Sequence, residues 1–403
     1  MALILPDAAF RQRDGLPALL VALGVGEARY VGGIVRDTLL GIDAADVDIA
    51  TIHPPEEVVA RLQDARIKAV PTGIAHGTVT AILPSGPVEV TTLRRDLATD
   101  GRHATVAFTD DWRDDAARRD FTINALYADP ATGAVFDYFA GAEDLAARRV
   151  RFIGDPYRRI AEDHLRILRF FRFHARFGDA VDDAGLAACT ARANDLMALS
   201  RERIASELLK LLVAPQAVGV VELMIANGIL RAVLPEIRDA AGLRDLAERE
   251  AASAIAPDPI RRLATLVPPA SAEAIGARLK LSLVDRRRLI AATQGAGGEG
   301  PHALAYRVGV TGAIDRLLIA GELPADLIGW TPPALPIGGG ALVARGLRKG
   351  PEVAATLRAI ETAWIAEGFP DATRVDQLAD SAVASALRAA SIASASADSS
   401  GRA

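Results

Sequence analysis

The residues best suited to chemistry lie near the amino terminus, in a glycine pair followed by two closely spaced carboxylates. Gly32 and Gly33 follow a short apolar run and precede a helical pattern, so the sequence predicts a strand that leads into a helix. Backbone N–H groups at such a helix start can bind an anion such as a triphosphate, and Arg36 can add a charged hydrogen-bond fork. Asp46 and Asp48 are two residues apart on a predicted strand, so both carboxylates leave the same face.

These carboxylates are hard oxygen ligands of the kind that Mg²⁺ prefers. Two such ions about 4 Å apart can hold the attacking and the leaving oxygen of a phosphoryl transfer. Each feature alone has a plainer interpretation, because a glycine pair is commonly a tight turn and an Asp-x-Asp strand is commonly a solvated face. Since both features converge on one site, we expect Asp46 and Asp48 to bind metal, and Gly32, Gly33 and Arg36 to bind phosphate.

A second group of chemistry-bearing residues lies on a predicted amphipathic helix over 157–177. Asp163 and Arg166 are three residues apart and would share a face of that helix. An accepting carboxylate beside a donating guanidinium can match cytosine or adenine, since both bases present an exocyclic amine beside a ring-nitrogen acceptor. Guanine and uracil would leave Asp163 unpaired, at a cost of roughly 1–3 kcal/mol. The alternative is an ordinary surface ion pair, worth about 0.3–0.5 kcal/mol.

Basic side chains continue along the same predicted helix. Arg169 and Arg172 follow Arg166 in three-residue steps, and the stretch 148–176 holds nine arginines against three acidic residues. This stripe could reach a triphosphate or the end of a nucleic acid, or it could be a solvated helix face. The formal net charge of the whole chain is −5, which by itself speaks against a polyanionic partner. The predicted core positions of this helix are Ile160, Leu168, Phe171 and Ala175.

Strand and helix signals alternate over about the first 140 residues, and strand signals largely vanish afterwards. Strand-like runs cover 27–31, 47–51, 78–83, 88–93, 121–127 and 135–138, with 119–125 equally able to begin a helix. Helical spacing covers 34–40, 54–65, 157–177, 200–213, 216–227, 258–266, 271–279, 283–292 and 351–368. The polar stretch 96–115 predicts a mobile loop and the Ser/Ala-rich stretch 391–403 a disordered end. The predicted fold class is an α/β head followed by an all-helical remainder.

Composition narrows the class of protein further. A chain of 403 residues is expected to hold two to three folding units. Cys189 is the single cysteine, which excludes an intramolecular disulfide and a thiolate zinc site, and the six histidines lack metal-ligand spacing. The first ten residues lack the basic start of a signal peptide, and the most apolar stretch, 208–230, is interrupted by Lys210, Pro215 and Glu222. We therefore expect no membrane partner and a cytoplasmic location.

The motifs occur in an order that resembles the class II tRNA nucleotidyltransferase and bacterial poly(A) polymerase family. The opening motif is Gly32-Gly33-x-Val35-Arg36-Asp37-x-Leu39-Leu40-Gly41, followed by Asp46-x-Asp48-Ile49-Ala50-Thr51. Later stretches that resemble the family are Arg118 to Leu126, Glu162-Asp163-His164-Leu165-Arg166, Ser200 to Leu208, Leu335-Pro336-Ile337, Gly350-Pro351 and Glu361-x-x-Trp364. The last three resemble the tail of CCA-adding members, and the likeness covers nearly the whole chain.

This resemblance implies an architecture and an activity. The head would carry a small mixed or antiparallel sheet of the nucleotidyltransferase type, and the rest would form an elongated all-α neck, body and tail. The implied division is a catalytic head at 1–140, a nucleotide-reading neck at 141–213, a body at 214–300, a tRNA-binding tail at 301–390 and a disordered end at 391–403. The implied activity is CCA addition to the 3′ end of tRNA from CTP and ATP, with Mg²⁺ as cofactor. Partner contacts would involve the 3′ end and the acceptor and T arms of tRNA.

The resemblance also implies roles for further residues. The stretch Arg118-Arg119-Asp120 carries the family's basic-acidic pair, which would meet the sugar and phosphates of the nucleotide. Glu89 resembles the acidic residue of a Glu-Val-x-Thr element and would act at the catalytic site, by completing the metal site or orienting the primer hydroxyl. An exposed strand position is an equal alternative for Glu89. The loop at 96–110 resembles one that could help to switch from CTP to ATP addition.

Three other functions stay open at this point. A poly(A) polymerase would share the head chemistry, and a partial enzyme would add only CC or only A. The chain lacks the Gly-Arg-Arg/Lys-Phe element that tends to follow the Glu89 strand in poly(A) polymerases, so the sequence favours CCA addition. The third alternative is an inactive RNA-binding module, against which Asp46, Asp48 and the pair Arg119-Asp120 speak.

Overall fold

The computed structural model describes residues 3–43, 46–100, 103–348 and 350–400, with no account of the side chains at 96–100, 103–106 and 390–400. The chain divides into two compact units. The first comprises Met1–Ala241 and Ala274–Ser282, and the second comprises Gly242–Glu273 and Leu283–Ala403. Among the described residues, no helix is both long and apolar enough to cross a membrane.

A seven-stranded mixed sheet forms the centre of the first unit, as far as the described residues show. Its strands are β1 (Ala28–Val31), β2 (Asp48–Thr51), β3 (Lys68–Gly73), β4 (Thr78–Leu83), β5 (Gly86–Thr92), β8 (Leu126–Ala128) and β9 (Val135–Asp137). Their spatial order is β3-β4-β5-β2-β1-β8-β9, and the pair β2–β5 is parallel while the other neighbours are antiparallel. A separate antiparallel hairpin consists of β6 (Arg94–Asp100) and β7 (His103–Phe108).

The first unit also contains helices, some of which lie between the strands in sequence while others follow the last strand. They are α1 (Leu16–Leu23), α2 (Gly33–Leu39), α3 (Pro55–Asp64), α4 (Trp112–Ala117), α5 (Gly141–Ala146), α6 (Pro156–Glu162), α7 (Leu165–Phe177), α8 (Asp183–Ala191), α9 (Arg201–Leu212) and α10 (Ala217–Ala226). Short 3₁₀ helices lie at Ala9–Gln12, Ile74–His76, Thr122–Asn124, Ala193–Ala198 and Leu230–Ala232. The start of α6 follows from local chemistry, because the Asp155 side chain accepts from the Tyr157 N–H and Pro156 occupies the first turn.

An aromatic cluster joins the end of the sheet region to α7. The Phe121 ring lies 4.9 Å from that of Phe152 and 5.3 Å from that of Phe173, and Phe152 stacks on Phe170 at 5.6 Å. Phe121, Phe152 and Phe170 are fully buried. The apolar face of α7 therefore packs that helix against the segment that carries Phe121 and Phe152, and its arginines lie on the other face. The predicted core positions Ile160, Leu168, Phe171 and Ala175 are all buried.

The described residues of the second unit form helices and connecting loops, with no strand among them. Its helices are α11 (Ala241–Ala252), α12 (Pro259–Leu266), α14 (Leu283–Ala292), α15 (Pro301–Val308), α16 (Val310–Ala320), α17 (Gly339–Ala344), α18 (Pro351–Ala366) and α19 (Ala372–Ser400). The division between the two units falls within α13 (Ala272–Arg278), after Glu273. Short 3₁₀ helices lie at Pro269–Ser271 and Ala325–Leu327. One core surrounds Trp364, which is 2% exposed, and includes Leu342, Ile360 and Val375.

The α/β head and the helical remainder predicted from the sequence are confirmed. Most predicted strands and helices occur within a few residues of their expected bounds, whereas the strand β3 and several helices were missed. The finer division at residues 140, 213 and 300 stays a prediction, because the two compact units do not resolve it. At the C-terminus, α19 continues to Ser400 where disorder was expected from residue 391, and 401–403 lie outside the described residues.

Two local predictions were wrong. The stretch expected to be a loop at 96–115 contains most of the β6–β7 hairpin and the first turn of α4, although 101–102 lie outside the described residues. The long helix expected over 157–177 is interrupted, since α6 ends at Glu162 and Asp163 takes an extended conformation (φ −151°, ψ 107°). Helical periodicity continues in the sequence across this break, which explains why spacing alone did not reveal it.

We expect Phe170→Ala to lower the free energy of unfolding by about 3–5 kcal/mol, because the change leaves a cavity among buried rings. Urea denaturation followed by circular dichroism measures this. Phe108→Ala is the matched control, since Phe108 is 42% exposed and its loss should cost only about 1–1.5 kcal/mol. Equal losses in the two variants would contradict the role assigned to the aromatic cluster.

Candidate nucleotide and metal site

A cavity of 790 Å³ in the first unit gathers most of the residues singled out in the sequence. It is lined by Gly32, Gly33, Arg36, Asp46, Asp48, Arg94, Arg118, Arg119, Asp120, Asn124, Asp163, Arg166, Arg169, Arg172 and Phe173. All ten predicted nucleotide-binding residues and both predicted metal ligands are in this set, and their roles stay predictions. Sequence reasoning missed three lining residues, Arg94, Asn124 and Phe173. Asn124 lay within a quoted motif and could have been found there.

The two aspartates reach the cavity from the start of β2. Asp48 is the first residue of that strand and Asp46 lies just before it, while Val47 and Ile49 are buried on the opposite side. Glu89 is the register partner of Asp48 on the parallel strand β5, but it is exposed and is not among the residues that line the cavity. Alternation along the strand therefore directs both aspartates to the same region, as the spacing predicted.

The electrostatic environment of these acids suits a cation. Burial raises the pKa of Asp48, and the nearby charges of Glu89 and Asp46 raise it further, against the lowering effect of Arg119. A bound divalent cation would relieve this repulsion between carboxylates. Within the described residues, no three acidic, histidine or cysteine side chains are grouped to hold a metal. The pair Asp46 and Asp48 nevertheless fits Mg²⁺, which is commonly held by one or two carboxylates with water and substrate phosphates as its other ligands.

The buried carboxylate of Asp115 pairs with two of the arginines that line the cavity. The Asp115 side chain is 1% exposed, and its carboxylate accepts from Arg118 Nε at 2.8 Å and Arg119 Nη2 at 3.1 Å. It also accepts from the hydroxyl of Tyr127 at 2.5 Å and from the backbone N–H of Arg94 at 3.2 Å. Burial alone would raise the pKa of Asp115, but the charges of Arg119 and Arg118 and the hydrogen bonds outweigh it and lower the pKa to about 2.

Gly32 allows the close approach of Arg119 to the β1–α2 turn. Its φ is +69°, which favours glycine, and a Cβ there would lie 3.3 Å from Arg119 Nη1 and 3.4 Å from the Asn124 carbonyl oxygen. The Gly32 N–H donates to the carbonyl of Leu126 at 3.0 Å. This N–H is therefore paired within the sheet, and the phosphate-binding role expected of Gly32 stays a prediction. In the structure, Gly32 provides space for the Arg119 guanidinium.

Asp120 links the head to α7. Its carboxylate accepts from Arg169 Nε at 2.7 Å and from Asn124 Nδ2 at 3.0 Å, and Asn124 Oδ1 in turn accepts from Arg36. Burial raises the pKa of Asp120, but the charge of Arg169 and these hydrogen bonds outweigh it, so the net pKa is lowered. Asp120 is therefore ionised at neutral pH and positions Arg169 beside the cavity.

Asp163 and Arg166 line the same cavity without sharing a helix. Asp163 Oδ1 accepts from the N–H of Leu165, the first residue of α7, and Asp163 Oδ2 accepts from Arg203 Nη2 at 2.9 Å. Arg166 Nη1 donates to Glu162 Oε2 at 2.6 Å. The two side chains therefore have different partners, unlike the simple mutual ion pair that was the alternative.

The remaining lining arginines are also held by acidic or carbonyl oxygens. Arg172 Nε donates to Glu207 Oε2 on α9 at 2.5 Å. Arg159, just outside the cavity, donates to the backbone carbonyls of both Arg118 and Arg119. These contacts fix the direction of the cationic side chains before any ligand binds, which is the arrangement expected of a preorganised anion site.

We expect Asp115→Asn to lower the free energy of unfolding by about 2 kcal/mol at pH 7, since a pKa depressed from 3.8 to about 2 corresponds to this amount. The stabilisation from ionised Asp115 is fully present above pH 4 and is lost as pH falls from about 4 towards 2, because the folded-state pKa is the lower one. Urea titrations at pH 7, 4 and 3 would measure the difference between wild type and variant. A difference that stays constant or grows below pH 4 would contradict this assignment.

Two segments of the chain match models of known protein families. Residues 28–151 match a family model described as the Poly A polymerase head domain. Residues 180–241 match a second model, described as a probable RNA and SrmB- binding site of polymerase A.

Full-length relatives extend the match beyond these segments. The chain is 37% identical to CCA tRNA nucleotidyltransferase 1, mitochondrial, of Danio rerio, over 84% of this chain and 83% of that protein. It is 43% identical to the CCA-adding enzyme of Levilactobacillus brevis over 47% of this chain and 48% of that enzyme. Since the first of these relatives is named as mitochondrial, the cytoplasmic location stays a prediction.

The fold agrees with a solved structure. The CCA-adding enzyme of Bacillus stearothermophilus in complex with CTP superimposes with a TM-score of 0.69 at 27% identity, covering 87% of this chain and 93% of that one. The resemblance stated from the ordered motifs is thus confirmed. The chain belongs to the family of CCA tRNA nucleotidyltransferases, the CCA-adding enzymes.

Proposed function

We propose that this protein adds CCA to the 3′ end of tRNA, using CTP and ATP and no nucleic-acid template. The observation that carries the proposal is the single cavity in which two adjacent carboxylates face seven arginines, with Asp163 at its wall. The two carboxylates can bind a metal ion, and the arginines can bind a triphosphate. Asp163 and Arg166 can form hydrogen bonds with the edge of a base. Two relatives that the chain matches are named CCA tRNA nucleotidyltransferase and CCA-adding enzyme, which supports the same activity for this chain.

In this proposal the chain's own residues bind and orient the reactants. Asp46 and Asp48 would hold Mg²⁺, which when bound supplies acidity to the primer 3′-hydroxyl and neutralises charge on the phosphates. The hydroxyl oxygen attacks the α-phosphorus of the nucleotide in line, and pyrophosphate leaves. Arg36, Arg118 and Arg119 lie where their charges can stabilise the triphosphate as negative charge shifts to the leaving group. No covalent enzyme intermediate is required.

Glu89 would have a supporting role at the catalytic site. It lies beside Asp48 in the sheet, and its charge acts on that carboxylate, but it does not line the cavity. These facts support a role in tuning Asp48, or in orienting the primer hydroxyl from outside the nucleotide pocket. An ordinary exposed strand position remains the alternative for this residue.

Base choice is assigned to Asp163 and Arg166. The Asp163 carboxylate is fixed by the Leu165 N–H and by Arg203, so its remaining lone pairs have a defined direction. A cytosine or adenine amine can donate to it, whereas the carbonyl of guanine or uracil cannot. The polypeptide would therefore serve as the template.

One assay separates this activity from its alternatives. Purified protein with Mg²⁺ and tRNA lacking its 3′ CCA is supplied with labelled CTP, ATP, UTP or GTP, alone and in combination. We expect two C additions with CTP alone and one further A when ATP is present. Long A tails would indicate a poly(A) polymerase, C or A alone a partial enzyme, and binding without incorporation an inactive RNA-binding module.

We expect Asp48→Asn to reduce nucleotide incorporation by at least about 10³-fold, because the variant removes a carboxylate from the pair that would hold the metal. Urea stability should not fall, since the repulsion among Asp48, Glu89 and Asp46 is relieved. Asp64→Asn, at the exposed end of α3, is the matched control and should keep full activity. Near-normal turnover by the Asp48 variant would refute the metal assignment.

We expect Asp163→Ala to incorporate UTP and GTP about ten- to a hundredfold more readily relative to CTP and ATP, because the carboxylate that penalises a carbonyl is gone. Single-nucleotide incorporation with each labelled triphosphate measures the ratio. Asp195→Ala controls for the loss of one acid near α7, and its selectivity should match wild type. Unchanged selectivity in the Asp163 variant would show that the base is chosen elsewhere.

A further inference from the structure

A second cavity of 390 Å³ lies in the first unit and is separate from the nucleotide site. It is lined by Ile42, Arg172, Arg176, Lys210, Val213, Ala214 and Pro215. Arg172 alone is common to both cavities, so it separates them. The volume lies within the range of about 300–1,000 Å³ that is usual for ligand sites. We call this cavity the basic groove.

Three cations line the basic groove, and two of them face solvent. The Arg176 side chain is 45% exposed and lies 3.4 Å from Asp37, and Lys210 is exposed at the end of α9. No ion pair found in the described part of the chain includes Lys210, whereas Arg172 is held by Glu207. The groove thus has positive charge accessible from solvent, which favours an anionic ligand.

The opposite part of the lining is apolar. Ile42 is 40% exposed and Val213 is 36% exposed, and Ala214 and Pro215 extend the same surface. A nucleotide unit has a charged phosphate and also a base or ribose with an apolar face, so it matches both parts of the groove. Free pyrophosphate would use the cations only and leave exposed apolar side chains uncovered.

We propose that the basic groove binds a nucleotide of the RNA primer strand behind its reacting 3′ end, with Arg176 and Lys210 on the phosphate and Ile42 and Val213 against the sugar or base. This inference rests on the proposed function, because it needs an RNA primer whose end enters the adjoining cavity. Four of the seven lining residues fall within 180–241, the segment that matches the RNA-binding family model. The groove would then set the primer's position, while the first cavity sets the incoming nucleotide.

The experiment compares Lys210→Gln and Arg176→Gln in the full-length protein with Lys68→Gln. Lys68 is exposed on β3, the edge strand of the sheet, so its variant loses the same charge away from the groove. Fluorescence anisotropy measures binding of tRNA lacking CCA over a range of salt, and incorporation assays give kcat and the KM for tRNA and for CTP.

Each groove variant should bind tRNA about five- to tenfold more weakly, with a salt slope smaller by about 1, because one phosphate contact is lost. The KM for tRNA should rise in parallel, while the KM for CTP and kcat at saturating tRNA stay near wild type. The Lys68 variant should bind within about twofold of wild type, because its charge lies outside the contact.

The inference is overturned if both groove variants bind tRNA like the Lys68 variant, or if only inhibition by pyrophosphate changes. A rise in the KM for CTP instead would place the groove in the nucleotide site and would also overturn it. Binding is measured without turnover, so it tests the groove even if wild type incorporates nothing. In that case the proposed function fails while the anisotropy result still decides whether the groove holds RNA.

Discussion

The structure depends on the pairing of each cavity arginine with an oxygen acceptor behind it. Seven arginines line one cavity, and two guanidinium charges about 4 Å apart repel by roughly 1–4 kcal/mol at the effective dielectric constants of water and a protein surface. The partners of six of these arginines are the carboxylates Asp37, Asp115, Asp120, Glu162 and Glu207. Because each of these arginines has an acidic partner, and all of these acids except Asp120 lie outside the cavity lining, the cations can converge on an anion while the free protein stays folded.

This pairing also joins elements that are distant in sequence. Asp115 on α4 connects the start of β6, the arginines that follow α4, and Tyr127 on β8. Asp120 ties this region to Arg169 on α7, and Glu207 ties Arg172 to α9. The same hydrogen bonds therefore hold the fold and orient the cations, so the proposed binding of a triphosphate would need little reorganisation.

The sequence predicted the parts of the site that depend on local pattern. Strand alternation was enough to place Asp46 and Asp48 on one side, and the ordered motifs brought in the arginines. The pattern did not reveal Asp115, which stands in an acidic run and differs from its neighbours only through partners elsewhere in the fold. Arg203 and Glu207 were missed for the same reason, since they act on residues 40 and 35 positions away.

The helix break at Asp163 shows why the remaining detail depends on tertiary structure. In one continuous helix, Asp163 would sit one turn from Arg166, and the two side chains could neutralise each other. The extended conformation of Asp163 instead directs its carboxylate to the Leu165 N–H and to Arg203, while Arg166 pairs with Glu162. An acceptor whose direction is fixed by two donors cannot turn away from a mismatched base. In the base-reading role proposed for Asp163, the unpaired contact with a carbonyl would then keep its full cost of roughly 1–3 kcal/mol, and this cost would discriminate against guanine and uracil.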